Sequence, residues 1–174
     1  MIRFKQIAVV AFVLLLVGCA ATGPSEDSVE QAPAKDLPKV DPKITAEYES
    51  ALSLMHDGKT TQAESALRKL AEKYPTFSGP RANLGILYFR ANKLDQAKSE
   101  FNEALKINAD NVVSLNHLGI ISRSEGKFKE AYGFYEKALQ IDPNYAYAHL
   151  NFGILLELYM GKLNEALGHY KRYQ

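Results

Sequence analysis

The sequence predicts an all-α solenoid, a stack of helical hairpins of one repeating length, and three observations carry that reading. Small residues recur at a fixed interval of 34: Ala51, Gly85, Gly119 and Gly153 form one row, and Ala63, Ala97 and Ala131 another. Ala166 continues the second row 35 residues after Ala131. A large side chain follows each of those alanines by four residues, at Leu67, Phe101, Tyr135 and Tyr170. Pro75 and Pro143 close the first and third units, with Ala109 in that place in the second. A fixed period of this length is the mark of stacked units that bury their faces only against one another.

Taken in chain order, the first element is a targeting segment. Met1 to Lys5 is short and basic, Ile7 to Val17 is an unbroken apolar run, and Gly18 and Cys19 follow at once. The run is shorter than the ~20 residues a membrane-spanning helix needs. Its order of basic, apolar and small residues is that of a secretory signal. Leu16-Val17-Gly18-Cys19 resembles the lipobox of bacterial lipoproteins. That resemblance implies cleavage after residue 18, a diacylglyceryl thioether and an N-acyl chain on Cys19, and stable anchoring by several chains together. With Ala20 rather than aspartate next, it implies an outer-membrane address facing the periplasm.

Residues 19–43 form the second element. Pro24, Pro33, Pro38 and Pro42 are interleaved with Gly23, Ser25 and Ser28, and no apolar periodicity is visible. A flexible spacer with a reach on the order of 30 Å is expected.

Residues 44–174 hold the repeats, expected at 44–77, 78–111, 112–145 and 146–174. First helices are expected at 44–57, 78–91, 112–125 and 146–160, and second helices at 60–73, 94–107, 128–141 and 162–173. Within a unit, Gly119 and Ala131 allow two helices to cross closely, Tyr135 fills the volume beside the crossing, and Pro143 cannot continue its helix. The remaining repeat-packing positions are Ala51, Ala63, Gly85, Ala97, Gly153, Ala166 and Tyr170. The extra residue of the last unit is expected between Leu156 and Met160.

This pattern resembles the tetratricopeptide repeat. The resemblance implies a right-handed superhelix of four hairpins whose first helices line a concave groove. It departs from the family at the first-helix tryptophan, replaced by Glu47, Arg81, Leu115 and His149. Counting each unit from residues 44, 78, 112 and 146, positions 2, 5, 9 and 12 share one helical face. Read onto this chain, the groove comprises Tyr48, Leu52, Met55, Ile86, Phe89, Asn116, Ile120, Arg123, Tyr147 and Ile154, flanked by Asn83, His117 and Asn151 at position 6. Position 9 is branched aliphatic in every unit, so an exposed apolar stripe beside backbone-binding amides is one expectation. Packing of that row against neighbouring first helices is the other. Lys98, Glu103, Lys129 and Glu136 read as a solvated convex face.

Other functions find little support. A formal charge of +1 gives no electrostatic case for nucleic acid, and a single cysteine excludes an internal disulfide framework. His56, His117, His149 and His169 lack ligand spacing, and no nucleophile elbow, phosphate loop or paired-carboxylate motif occurs. No catalytic residue, cofactor or metal is expected beyond the lipid on Cys19. The sequence ends at Gln174 without a polar capping helix, so Leu163, Leu167, Tyr170 and Tyr173 are expected to be partly uncovered and to support self-association or docking. The resemblance implies a membrane-anchored adaptor that binds a protein partner in the bacterial envelope, for example in pilus or secretion-complex assembly. The alternative is an oligomerising structural subunit that uses its ends.

Overall fold

The computed structural model describes residues 42–174. The expectations for the signal segment, for Cys19 and for nearly all of the spacer lie outside the described residues. Eight helices follow one another: α1 (Pro42–His56), α2 (Thr60–Lys73), α3 (Gly79–Arg90), α4 (Leu94–Ile107), α5 (Val112–Ser124), α6 (Phe128–Ile141), α7 (Ala146–Met160) and α8 (Leu163–Tyr173). Every regular element among the described residues is helical, and each packs on its sequence neighbours to form a solenoid of four hairpins. Helix α1 starts two residues earlier than expected. A proline at the first helical position sacrifices no hydrogen bond, so Pro42 opens the helix instead of ending the spacer.

The second helices are amphipathic in the ordinary way. Ala97, Phe101 and Ala104 form the buried stripe of α4, and Ala131, Tyr135 and Ala138 that of α6. The middle first helices are different. In α3 every residue from Gly79 to Tyr88 except Arg81 is buried, and in α5 the buried run extends from Val112 to Gly119. Each is enclosed by its own second helix and by the units on both sides.

Within each unit the hairpin turns on one left-handed residue: Gly58 (φ 69°), Asn92 (55°), Gly126 (76°) and Gly161 (66°). In the first three the residue after it closes the helix end by donating five residues back: Lys59 to Leu54, Lys93 to Tyr88 and Lys127 to Ser122. In the fourth, Lys162 donates six residues back, to Leu156, at 2.9 Å. The additional residue of the last unit is therefore absorbed at the end of α7, within the interval read from the sequence.

Between units, Ala109 can replace proline because a side chain holds the turn. Asn108 Oδ1 accepts the Asp110 amide at 3.0 Å, as Asp142 Oδ1 does the Asn144 amide. Asn111 then caps α5 by accepting the Ser114 amide at 2.9 Å.

The crossing of the two helices in each unit follows the small-residue expectation. A Cβ added at Gly85 would lie 2.6 Å from Phe101, and at Gly119 or Gly153 it would lie 2.5 Å from Tyr135 or Tyr170. The first unit carries Ala51 together with the smaller Leu67, both fully buried. Tyr135 is buried as well, and its hydroxyl has no hydrogen-bond partner among the described residues. Burial pushes its pKa up. Tyr135→Phe removes that unpaired group without changing the packing, so a gain of about 1 kcal/mol is expected in urea unfolding. A loss of similar size would show that the hydroxyl is bonded after all.

Candidate functional site

The expected groove face divides into two sets. Leu52, Phe89, Ile120, Arg123, Tyr147, Asn151 and Ile154 are partly exposed along the first helices. Tyr48, Met55, Asn83, Ile86, Asn116 and His117 are buried, none more than 4% exposed. Expectation and structure differ for this second set. Position 9 is not a continuous exposed stripe, because Ile86 lies in the core between the flanking first helices while Leu52 and Ile120 pack against the core at its edge. His117 lies inside, not on a flank. Its Nδ1 donates to the Val113 carbonyl at 3.0 Å, and its ring stacks on Phe101 and meets Phe89 edge-on.

The amides also have other work than the sequence suggests. Asn83 Nδ2 lies 2.5 Å from the Tyr48 hydroxyl and 3.1 Å from the Gly79 carbonyl. Asn151 Nδ2 donates to Asn116 Oδ1 at 3.1 Å and to the Tyr147 carbonyl at 2.9 Å. A primary amide has two N–H donors, and both are engaged in each case. Position 5 of one unit and position 6 of the next thus form a polar ladder between first helices. Arg123 adds a rung by donating from Nη1 to the Asn151 carbonyl at 3.1 Å. A ligand on this face would meet aliphatic and aromatic side chains on a rigid floor, with few amide N–H groups available to it.

A second cluster, which the sequence reading missed, clasps the first two units. The Tyr88 hydroxyl donates to Glu64 Oε1 at 2.7 Å, while Arg68 donates to both Glu64 and Tyr88. Burial, reinforced by the bond to Glu64, pushes the Tyr88 pKa up to about 12. The Tyr88 hydrogen bond in turn holds the Glu64 carboxyl below its ordinary range.

Tetratricopeptide repeat family models match residues 54–115, 112–145 and 134–168. The chain belongs to the tetratricopeptide-repeat family. Solved structures of similar fold include MamA, 24% identical with a TM-score of 0.62 over 78% of this chain and 79% of that one. Pseudomonas aeruginosa pilF is 25% identical with a TM-score of 0.66, over 75% of this chain and 59% of its own. A tetratricopeptide repeat protein from Parabacteroides merdae is 20% identical with a TM-score of 0.60, over 76% of this chain and 52% of that one. As a tetratricopeptide-repeat protein the chain is a protein–protein interaction scaffold.

The tetratricopeptide-repeat register also explains the missing tryptophans. Position 4 of each first helix meets its own second helix, and each unit fills the contact differently. Glu47 accepts from Lys73 at 2.7 Å, and Arg81 donates to Glu100 at 3.0 Å. Leu115 is buried in a cluster on which Phe134 packs. In the last unit His149 and His169 approach to 2.8 Å between Nδ1 atoms, and His149 Nε2 lies 2.9 Å from the Pro143 carbonyl. Because a carbonyl only accepts, His149 carries its proton on Nε2, and its Nδ1 accepts from His169. The linear spacing of the histidines concealed this pair. Pairing position 4 with position 23 of the same unit, one residue later in the last unit because of its extra residue, would have revealed it.

That imidazole pair gives a pH prediction. Burial first, then the neighbouring His149 and Arg172, hold the His169 pKa below its ordinary value, with Glu165 opposing. The unfolded chain binds this proton more readily, near pH ~6.5. Stability from this group is therefore complete above that pH and declines as pH falls through it toward the lower folded value. Hydrogen exchange of α7 and α8 is expected to accelerate between pH 7.5 and 5.5, after correction for intrinsic rates, more in the native chain than in His169→Gln. Equal acceleration in both would contradict this.

Proposed function

We propose that this protein is a lipid-anchored adaptor of a bacterial cell envelope, held by Cys19 at the outer membrane on the periplasmic side, which binds a protein partner along its first-helix face without catalysing a reaction. The observation that carries the binding site is the partly exposed apolar set Leu52, Phe89, Ile120 and Ile154, seated on a floor stiffened by the polar ladder. Preorganised side chains of this kind lose little entropy on binding. Apolar anchors without free amide donors suit a helical peptide, whose backbone is already hydrogen-bonded, better than an extended one. Residues 19–43 supply the spacer and Leu16-Val17-Gly18-Cys19 the anchor. Assembly of a pilus or secretion complex is the class of process we assign, supported by the likeness to Pseudomonas aeruginosa pilF at 25% identity.

The test is cross-linking in native envelopes with wild-type protein, a Phe89→Ser/Ile120→Ser variant and Cys19→Ser. The groove variant is expected to lose at least tenfold of the captured partner, about 1.4 kcal/mol, while keeping its helical signal and melting temperature to within a few degrees. Ile86→Ser should instead unfold readily, because Ile86 is buried. Undiminished capture by the groove variant would sink the groove reading. Unchanged membrane fractionation of Cys19→Ser, or no acyl label on the wild-type protein, would sink the anchor. An end-on structural role is the second reading, favoured by the apolar residues exposed on the last hairpin.

A further inference from the structure

At each junction the second helix reaches into the following unit, from position 21 in the first two and from positions 17 and 21 in the third. Glu64 accepts from Tyr88, Lys98 pairs with Glu125 at 3.0 Å, Phe128 lies against Tyr159 at 4.7 Å, and Tyr132 meets Phe152 edge-on at 4.8 Å. The covering first helix brings large apolar residues at positions 7 and 10: Leu84 and Leu87, then Leu118 and Ile121, then Phe152 and Leu155, all buried. In α1 those positions hold Ser50 and Ser53, both exposed, with exposed Ala46 one turn earlier. The leading end is therefore finished with small and polar groups, as a terminal unit requires.

The trailing end is not. Allowing for the extra residue of the last unit, the counterparts of positions 17 and 21 in α8 are Leu163 and Leu167, 63% and 52% exposed, and the adjacent end of α7 exposes Leu158 and Tyr159. All the large exposed hydrophobic residues among the described residues belong to this one hairpin. Lys171 extends the Leu163–Leu167 stripe by one more turn, and Arg172 follows it, both exposed.

We propose that the outer face of the last hairpin binds an amphipathic α-helix of a partner protein, seated where a fifth first helix would stack. Its apolar residues, spaced by three and four, would cover Leu163 and Leu167, and a carboxylate would face Lys171. The face continues the stacking direction of three existing junctions, where the covering element is each time a helix with buried apolar residues at positions 7 and 10. Head-to-tail, a second copy would present the leading face of α1, whose exposed Ala46, Ser50 and Ser53 are small or polar and match the leucines poorly. Pairing two last hairpins through this face would bring two Lys171 side chains into one interface, whereas an acidic helix brings the opposite charge. This surface is separate from the first-helix groove and is tested separately.

The probe is a fluorescein-labelled synthetic amphipathic helix of about five turns, with leucines spaced by three and four and glutamates flanking them, titrated with the 174-residue chain. Saturable binding in the micromolar range is expected. Leu163→Glu/Leu167→Glu should weaken it at least tenfold and Lys171→Glu severalfold, while Phe89→Ser/Ile120→Ser leaves it unchanged. The substituted leucines are exposed, so melting temperature and circular dichroism should be retained. Equal binding by the leucine variant, or binding lost only in the groove variant, would overturn the proposal. So would a concentration-dependent dimer in sedimentation that the leucine variant abolishes, which would make a second copy the occupant. Flotation of the Cys19→Ser chain with phosphatidylglycerol–phosphatidylethanolamine vesicles, lost in the same leucine variant, would assign the face to a membrane and equally overturn it.

Discussion

Gly119→Ala is expected to destabilise the chain by about 1–3 kcal/mol, although alanine is the better helix former by about 1 kcal/mol. The added methyl would sit 2.5 Å from Cε1 and 2.8 Å from Cδ1 of Tyr135, a ring with no exposed surface. Neither the ring nor the backbone of α5 has free space to move into, since both lie in packed layers. The first unit shows how the contact can be relieved, because there Ala51 accompanies Leu67. Tyr135→Leu alone should cost about 2–4 kcal/mol through the cavity it leaves. The double variant Gly119→Ala/Tyr135→Leu should be less destabilised than the sum of the two, with a coupling of about 1–2 kcal/mol in urea unfolding. Strict additivity would mean that the two positions do not share one volume.

Phe152→Ala should have the largest effect on the last hairpin, about 3–5 kcal/mol. The Phe152 ring meets Tyr132 at 4.8 Å, Tyr135 at 5.9 Å and His169 at 4.6 Å, and so joins α6, α7 and α8. In a stacked array, stability is a sum of unit and junction contributions, and a terminal unit has only one junction. Loss of this ring is therefore expected to release α7 and α8 while α1–α4 stay folded. Hydrogen exchange resolved by segment checks this: protection should collapse from residue 146 onward and persist in residues 60–107. Uniform loss along the chain would show a single cooperative core instead.

Much of the architecture was legible because it is local and periodic. A period of 34 sets where hairpins begin, and α2, α4, α6 and α7 occupy the residues read from it. Gly85, Gly119 and Gly153 announced the close crossings, since a helix interior carries glycine at a cost that only such an approach explains. The extra residue before Ala166 was visible as a break in the period, and it appears as the wider closure from Lys162 to Leu156. The exposure of Leu163 and Leu167 was also anticipated.

The candidate site was less legible. Positions 2, 5, 9 and 12 do share one helical face, but a shared face does not say what lies against it. Ile86 and Ile120 occupy the same register and differ in exposure, because α3 is enclosed more completely than α5 at that height. Asn83 and Asn151 looked like ligand-binding amides, and both spend their N–H groups inside the stack. Glu64, Arg68 and Tyr88 come from different units, as do Asn116 and Asn151, and no local pattern pairs them.

By itself, then, the sequence determined the fold class, the number and length of the hairpins, the residues at each crossing and the irregular last unit. Those features depend on side-chain size and spacing within one unit, which the period displays directly. The tertiary structure alone decided which first-helix residues reach solvent, which amides are already satisfied, and that His149 and His169 meet at 2.8 Å. Each of those depends on what the adjacent unit places against a face, and burial is a property of the pair rather than of either helix.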